Sequence, residues 1–106
     1  MWNRNRLLYV IHTLDENKKI NGVYVGSAND IKQRISSHLA KKEGENDNQK
    51  ELHEIMRRGA FLVRSFGVIT FEERWREYEL IRFFQDYTDL RIYNTYTDFH
   101  KDDGEG

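Results

Sequence analysis

The chain has 106 residues, of which 33% are charged, and its net charge is −1. This length supports one hydrophobic core and excludes two. The near-zero charge argues against a polycationic DNA binder, so any phosphate-binding surface has to be local. Cysteine is absent, which excludes disulfides and thiolate metal sites. The longest apolar run, Leu7 to Ile11, is too short for a membrane span or a signal-peptide core, so we expect a soluble, cytoplasmic protein with no membrane partner.

The first quarter of the chain predicts a β-hairpin. Residues Leu7 to Leu14 are rich in β-formers, which predicts a first strand that is buried on both faces. The stretch from Asp15 to Gly22 consists of turn-forming residues and ends in Asn-Gly, a strong hairpin signal. A second strand, Val23 to Gly26, is therefore expected antiparallel to the first. This pairing brings Tyr9 and Tyr24 onto neighbouring strands.

An amphipathic helix is predicted after the second strand, following a tight Gly-Ser turn. We expect it to run from about Asn29 to Lys42, with Asn29 or Ser27 as its N-cap. Arg34 and His38 are four residues apart, so both project from one flank of the helix, beside an apolar stripe formed by Ile31, Ile35 and Leu39. A strand phenol followed closely by a fixed cation and a titratable imidazole suits a phosphodiester better than a hydrophobic core.

The second half of the chain predicts two further helices and a third strand. Gly59 is expected as a left-handed C-cap, and Thr70 to Glu73 as a capping box that opens the last helix. The elements expected in order are a mobile loop (Glu43 to Asn48), a helix (Gln49 to Arg58), a strand (Phe61 to Ile69), a helix ending near Asp86 and an extended piece (Leu90 to Tyr96).

The predicted element order is β-β-α-α-β-α, which indicates an α/β (α+β) fold. We expect a small sheet of about three strands that is covered by helices. One domain is predicted over residues 1–98, and residues 99–106 are predicted to form a flexible acidic tail.

Several ordered motifs match one family. They are Leu7-Leu8-Tyr9, Tyr24-Val25-Gly26-Ser27, Arg34, His38, the helical stretch Arg76 to Arg82, and Tyr93-Asn94. Through these residues the chain resembles the GIY-YIG nuclease family over nearly its whole length, from Leu8 to Asn94. The middle motif with its arginine is fairly specific, and the full ordered set is much more so. In one departure from the family, the glycine and isoleucine of the first motif are both leucine here.

The resemblance implies metal-dependent hydrolysis of DNA phosphodiester bonds, in a fold built on a three-stranded antiparallel sheet. It also implies a separate DNA-binding element or a homodimer, because nearly all relatives have one or the other. The alternative is a nucleic-acid-binding or protein-interaction module that keeps the fold without cleavage. The two leucines of the first motif and the near-neutral charge favour this alternative slightly.

The resemblance also gives each matching polar residue an expected role. Arg34 neutralises the phosphoryl oxygens, because its guanidinium is always charged and fits phosphate geometry. Tyr9 is the candidate general base or proton relay, but an ordinary tyrosine has a pKa of about 10 and is a poor base at neutral pH. A neighbour such as His38, or a metal-bound hydroxide, has to take its proton. Tyr24 is expected to hold the nucleophile or a phosphate oxygen. Ordinary structural roles, such as a surface arginine or a strand tyrosine, are the alternatives.

A carboxylate of the last helix is the expected ligand of Mg²⁺ or Mn²⁺, since one carboxylate plus waters and phosphate is how Mg²⁺ is usually held. The motif favours Glu77 over Glu79. The helical pattern agrees, because Glu77 shares its face with Leu80, Ile81 and Phe84, where an unpaired carboxylate is costly. An inward salt bridge to an arginine such as Arg34 is the alternative.

Three further residues of the motifs are expected to contact substrate: Gly26, Ser27 and Asn94. Asn94 is expected to orient the closing segment or a phosphate, and an ordinary turn asparagine is nearly as good an explanation. The remaining histidines have no spacing that indicates a site and are expected to be structural or solvated. They are His12, His53 and His100.

Overall fold

The computed structural model describes residues 5–40 and 46–94, which form strands and helices in alternation with short turns. The elements are β1 (Arg6–Leu14), β2 (Ile20–Ala28), α1 (Ile31–Ala40), α2 (Asp47–Arg57), β3 (Phe61–Ile69), a 3₁₀ turn (Phe71–Glu73), α3 (Trp75–Tyr87) and β4 (Arg91–Ile92). None of the helices in these two ranges is long and apolar enough to cross a membrane. The predicted acidic tail and His100 lie outside the described residues.

The sheet has four strands in the order β3-β1-β2-β4, so the expectation of three was wrong. Strand β1 pairs antiparallel with β2, as predicted, and on its other side antiparallel with β3. The additional strand, β4, pairs in parallel with β2 at Gly22 and Val23, and the Tyr93 N–H then donates to the Val23 carbonyl at 2.8 Å. The reason is that β2 would otherwise be an open edge, and the closing segment satisfies its free peptide groups.

The β1–β2 hairpin forms as predicted, but its turn lies earlier than expected. Asp15 organises the turn by accepting the backbone N–H groups of Asn17 and Lys19 at 2.8 and 2.9 Å, and Lys18 takes the positive φ of 64°. The predicted Asn-Gly turn is instead part of β2. Gly22 is needed there for packing, because a Cβ would lie 2.6 Å from Cε2 of Tyr93.

The predicted Gly-Ser turn is also part of a strand, since β2 continues to Ala28. Helix α1 then begins at Ile31, and Asp30 caps it by accepting the Gln33 N–H at 3.2 Å. Neither Ser27 nor Asn29 is the cap, because Ser27 is still in the ladder and bonds elsewhere. Residues 41–45, which include the predicted helix end at Lys42, lie outside the described ranges.

The second half follows its predicted order closely. Helix α2 begins two residues before the predicted start, behind a capping box formed by Asn46 and Gln49, and Gly59 has the expected positive φ of 79°. Strand β3 has the predicted bounds. The predicted capping box of Thr70 and Glu73 is present, but it opens a short 3₁₀ turn, and α3 begins only at Trp75.

The sheet carries a hydrophobic layer on each face, because alternate side chains of β1 and β2 point in opposite directions. One layer packs under α3 and contains Leu8, Val10, Val23, Val25, Ile69, Ile81 and Phe84. The other packs under α1 and α2 and contains Tyr9, Ile11, Ala28, Leu52, Met56 and Tyr93. We call these the α3 face and the α1/α2 face. The predicted site residues are divided between them.

Candidate functional site

Tyr9 and Tyr24 both lie on the α1/α2 face of the sheet, as the strand register requires. Tyr9 stands directly opposite Gly26, and Tyr24 stands opposite Ile11, so the two phenols are diagonal neighbours. Their exposure differs. Tyr9 is fully buried, at 0% exposure, whereas Tyr24 is half-buried. The two phenols therefore share one face, and Tyr24 is the nearer of the two to solvent.

His38 of α1 lies against both tyrosines. Its Nε2 is 3.3 Å from the Tyr9 hydroxyl, and its ring meets the Tyr24 ring edge to face with 5.3 Å between centroids. Its other nitrogen, Nδ1, is 2.8 Å from Nε2 of His53 on α2. Three polar side chains from β1, α1 and α2 thus form a continuous chain of hydrogen bonds. His53 is buried at 1% exposure, not solvated.

The environment of Tyr9 keeps its hydroxyl protonated. Burial is the main cause that raises the pKa of Tyr9, and the Tyr24 phenol raises it further. Arg34 and Arg6 act in the opposite direction, and Glu77 raises the pKa again. Tyr9 is consequently a weaker acid than an ordinary tyrosine and stays protonated at neutral pH. It can relay a proton only if an acceptor lies beside it, and His38 Nε2 is in that position.

Arg34 is exposed on the outer side of α1 and lines a polar cleft of about 260 Å³. The other residues that line the cleft are Arg6, Asn29, Asp30, Gln33 and Ser37. Two guanidinium groups therefore face one open space near the end of the β1–β2 ladder. Asp30 is the acidic residue that lines the cleft, so the two arginines leave it an excess of positive charge on a protein whose net charge is −1.

Glu77 faces the sheet from α3, as the helical pattern predicts, and it is half-buried. Its Oε2 accepts a hydrogen bond of 2.6 Å from the Ser27 hydroxyl. Arg6 holds the same serine, with Nε donating to Ser27 Oγ at 3.1 Å and Nη2 donating to the Ser27 carbonyl at 2.8 Å. Glu77 is thereby connected to the arginine cleft through Ser27. Its neighbour Glu79 is exposed and lies on the side of α3 that faces Phe66.

Glu77 and Ser27 lie on the α3 face, opposite to Tyr9. Glu77 is still close enough to add to the raised pKa of Tyr9, after burial and the Tyr24 phenol. The site is therefore arranged around the C-terminal end of β2, with the phenols and His38 on one side and the carboxylate on the other.

Asn94 continues the sheet edge. Its Oδ1 accepts the Val25 N–H at 2.9 Å, and its Nδ2 donates to the Val25 carbonyl at 2.8 Å. The Asn94 side chain therefore hydrogen-bonds to both the N–H and the C=O of one β2 residue, as the backbone of a neighbouring strand would. Of the two expected uses of Asn94, this geometry corresponds to orienting the closing segment.

The two leucines of the first motif have different positions. Leu8 is buried in the core of the α3 face, where it serves as a strand core residue. Leu7 is half-buried, and by alternation it lies on the same face as Tyr9. The departure from the family motif therefore places an apolar side chain on the same face of the sheet as the buried phenol.

Two residues of this arrangement were missed by sequence reasoning. Arg6 was not predicted as a site residue, and His53 was expected to be structural or solvated. His53 had a detectable signal, because it lies beside Leu52 and one turn before Met56, on the inward stripe of α2. A titratable residue on an apolar stripe indicates a partner inside the protein. Arg6 had no such signal, since its partner Ser27 is distant in sequence.

The comparison with family models agrees with the motifs. The model of the GIY-YIG catalytic domain matches residues 5–89. No curated protein and no solved structure matches the chain. The matched range covers most of the chain and includes Tyr9, Tyr24, Arg34, His38 and Glu77. The chain therefore belongs to the GIY-YIG catalytic domain family, whose members have a nuclease-type fold.

Proposed function

We propose that this protein is an endonuclease that hydrolyses DNA phosphodiester bonds with the help of Mg²⁺ or Mn²⁺. The observation that carries the proposal is the contact between the Tyr9 hydroxyl and His38 Nε2, one helical turn from Arg34. It joins a proton donor to a proton acceptor, and the fixed cation of Arg34 precedes the acceptor by one turn of the same helix.

Charge neutralisation is assigned to Arg34. A phosphoryl group gains negative charge as it is attacked, and a guanidinium that donates paired hydrogen bonds stabilises that charge. The position of Arg34 in an open polar cleft supports this role, since a phosphate can reach it from solvent. Arg6 lines the same cleft and gives a second positive charge for the same DNA strand.

Proton transfer is assigned to Tyr9 and His38. Tyr9 passes its hydroxyl proton to His38 Nε2 as it takes the proton of the attacking water. Since Tyr9 is fully buried, this step requires the substrate-bound state to open a path to its hydroxyl. Tyr24, which is half-buried on the same face, holds the water or a phosphate oxygen. Gly26 leaves room for the Tyr9 ring and the Ser27 hydroxyl orients Glu77, and both are also proposed to contact the substrate.

The metal is assigned to Glu77. Within the described ranges, no three histidine, aspartate or glutamate side chains cluster so that they could hold a metal ion by themselves. A single carboxylate, oriented by the Ser27 hydroxyl at 2.6 Å, fits Mg²⁺, which keeps most of its waters and binds substrate phosphate. When bound there, the ion supplies Lewis-acid stabilisation of the phosphoryl oxygens.

The partner that we propose is DNA. The whole chain carries too little positive charge for strong binding by itself, because affinity for a phosphate backbone grows with the number of phosphates neutralised. A second copy of the chain or a separate DNA-binding element would supply the missing contacts. We propose a cytoplasmic location for such an enzyme.

The direct test is cleavage of supercoiled, single-stranded and branched DNA and of single- and double-stranded RNA, with Mg²⁺, with Mn²⁺ and with a chelator. We expect wild-type protein to nick DNA only with a divalent metal. Arg34→Ala should lower the rate on the order of 10²-fold or more, because it removes a contact to the transition state. Lys32→Ala, an exposed cation on the same helix that does not line the cleft, is the matched control and should keep the wild-type rate.

Absence of cleavage in every combination would refute the nuclease. If the same wild-type protein then binds nucleic acid in a manner that Arg34→Ala abolishes and Lys32→Ala does not, the chain is a binding module. The burial of Tyr9 is the observation that favours this second function.

A further inference from the structure

His53 is a buried titratable residue for which the reaction described above has no use. It is 1% exposed, it lies on the inward stripe of α2, and its Nε2 is 2.8 Å from His38 Nδ1. At this distance one of the two nitrogens carries a hydrogen and the other accepts it. The nitrogen that carries the hydrogen determines whether His38 can accept the proton of Tyr9.

The direction of the hydrogen bonds follows from the buried phenol. Tyr9 keeps its proton, and among the described residues the partner of its hydroxyl is His38 Nε2. A buried hydroxyl proton without an acceptor is costly, so Tyr9 donates and His38 Nε2 accepts. Neutral His38 then carries its hydrogen on Nδ1. That hydrogen points at His53 Nε2, which must therefore be unprotonated, with the hydrogen of His53 on its Nδ1.

We propose that His53 is a positioning residue that fixes the tautomer of His38, so that Nε2 carries no hydrogen and can receive the proton of Tyr9. With the opposite tautomer, His53 Nε2 would donate to His38, and His38 Nε2 would carry a hydrogen. His38 could not then accept the Tyr9 proton. A group that acts through a catalytic imidazole in this way controls its tautomer and its ring orientation together.

The inference rests on the proposed function for its consequence in the reaction. As the oxygen of water bonds to phosphorus, the bond from phosphorus to the leaving oxygen breaks, and that oxygen departs with the electron pair and is protonated by solvent. The proton of the attacking water passes to Tyr9 as the Tyr9 proton passes to His38. His38 becomes an imidazolium whose Nδ1–H is held by His53, so its charge is stabilised by a neutral acceptor.

The charged and titratable groups around His38 come from several elements. Tyr9 reaches it from β1, Tyr24 from β2, and His53 from α2. Arg34 precedes it by one turn on α1, and Arg57 of α2 donates to the Leu39 carbonyl at 3.0 Å.

The test that needs no nuclease activity is the tautomer itself. In ¹⁵N-labelled wild-type protein, long-range proton–nitrogen spectra of the imidazoles report which ring nitrogen carries hydrogen. We expect neutral His38 and neutral His53 both to be protonated on Nδ1 and bare on Nε2. A His38 that is protonated on Nε2 would overturn the proposal, whether or not the protein cleaves DNA.

Two variants separate positioning from packing. His53→Leu fills the space but offers no acceptor, whereas His53→Gln keeps an oxygen that can accept the His38 Nδ1–H. We expect His53→Leu to mix the His38 tautomers, to lower cleavage by at least about tenfold and to shift the pH–rate profile. In His53→Gln we expect the tautomer, the cleavage rate and the pH–rate profile to return to those of the wild-type protein. His12→Phe, a change at a buried histidine on the opposite face, is the control and should leave the His38 spectrum unchanged.

The outcomes distinguish this inference from the nuclease proposal. The expected tautomers in a protein that cleaves nothing would support the hydrogen-bond chain and refute the enzyme. Cleavage with an unchanged pH profile and tautomer in His53→Leu would support the enzyme and refute the role of His53. If His53→Leu does not fold, the wild-type spectrum and the His53→Gln profile still decide the matter.

Discussion

The hydroxyl of Tyr9 occupies the space that a side chain at Gly26 would need. The two residues are direct partners in the β1–β2 ladder, and a Cβ built on Gly26 would lie 2.6 Å from the Tyr9 oxygen and 2.7 Å from Cζ. The glycine of the second motif therefore lets the phenol of the first motif lie flat across the neighbouring strand. This packing directs the hydroxyl to His38, so the two motifs depend on each other physically.

Gly26→Ala should displace Tyr9. The added methyl group cannot fit against the ring, and overpacking of this kind typically destabilises by about 1–3 kcal/mol. We expect the nicking rate to fall strongly at temperatures where the variant is still folded, because the Tyr9–His38 contact is lost. Urea unfolding gives the stability, and the nicking assay gives the rate.

The control for this change is Gly22→Ala, on the same strand. A methyl group there would meet Thr13 and Tyr93 and should destabilise similarly, but it is remote from the Tyr9 hydroxyl. If both variants lose activity only in proportion to their unfolded fraction, Gly26 has no specific role in placing Tyr9.

Glu77→Gln should abolish metal-dependent cleavage, whereas Glu79→Gln should leave it near the wild-type rate. The amide at position 77 keeps the shape and can still accept from Ser27, but it no longer carries the charge that holds a divalent cation. Glu79 is exposed on another side of the helix. The rates are measured across a Mg²⁺ titration, with the folded state checked by circular dichroism. An inactive Glu79→Gln beside an active Glu77→Gln would place the metal half a turn away.

Asn94→Ala should destabilise the fold by about 1–3 kcal/mol, because two hydrogen bonds to the Val25 peptide groups are lost. Asn17→Ala, at an exposed position in the β1–β2 turn, should change the free energy of unfolding by less than about 0.5 kcal/mol. Both are measured by urea unfolding. A fully stable Asn94→Ala that has lost cleavage would mean that Asn94 contacts substrate and does not secure the sheet edge.

His12 should make the protein less stable in acid. His12 is buried against Phe84, and this burial is the main cause that lowers its pKa. The hydrogen bond to the Gly22 carbonyl raises the pKa in part, and the charge of Arg64 lowers it further. A lowered pKa in the folded state means that the unfolded chain takes up the proton first as pH falls. The stabilisation is complete above pH of about 6.5, the ordinary histidine pKa, and is lost as pH falls from there through the lowered pKa.

The measurement is the free energy of unfolding of wild-type protein and of His12→Phe between about pH 7.5 and 4.5. The difference between them should change with a slope of at most about 1.4 kcal/mol per pH unit, the limit for one proton. Titration of the other groups cancels in this difference. A difference that stays constant across the range would show that His12 does not titrate on unfolding.

Much of the fold could be predicted from local patterns. A run of β-forming residues located β1, which is buried along most of its length as expected, and β3 has the predicted bounds. The positive φ of Gly59 followed from its place after a helix. The inward orientation of Glu77 also followed from periodicity, because residues three and four apart on one helix share a face whatever the helix packs against.

The turn chemistry was less reliable, for a physical reason. Asn-Gly and Gly-Ser both favour turns locally, yet both dipeptides lie inside β2. Their glycines are used where rings approach the strand, Tyr93 at Gly22 and Tyr9 at Gly26. A glycine that allows close packing and a glycine that allows a turn look the same in sequence, because the difference lies in a partner from another strand.

By itself, the sequence determined which chemical groups are present and in what order: two strand phenols, a helical arginine and histidine, and an inward carboxylate. Only the tertiary structure decided how they meet. The sheet register put Tyr9 over Gly26, the packing of α2 against α1 brought His53 to His38, and the position of α3 brought Glu77 to a serine that Arg6 also holds. Periodicity specifies neighbours along one element, whereas contacts between elements depend on register and on how the helices pack onto the sheet, and these are set by the whole core at once.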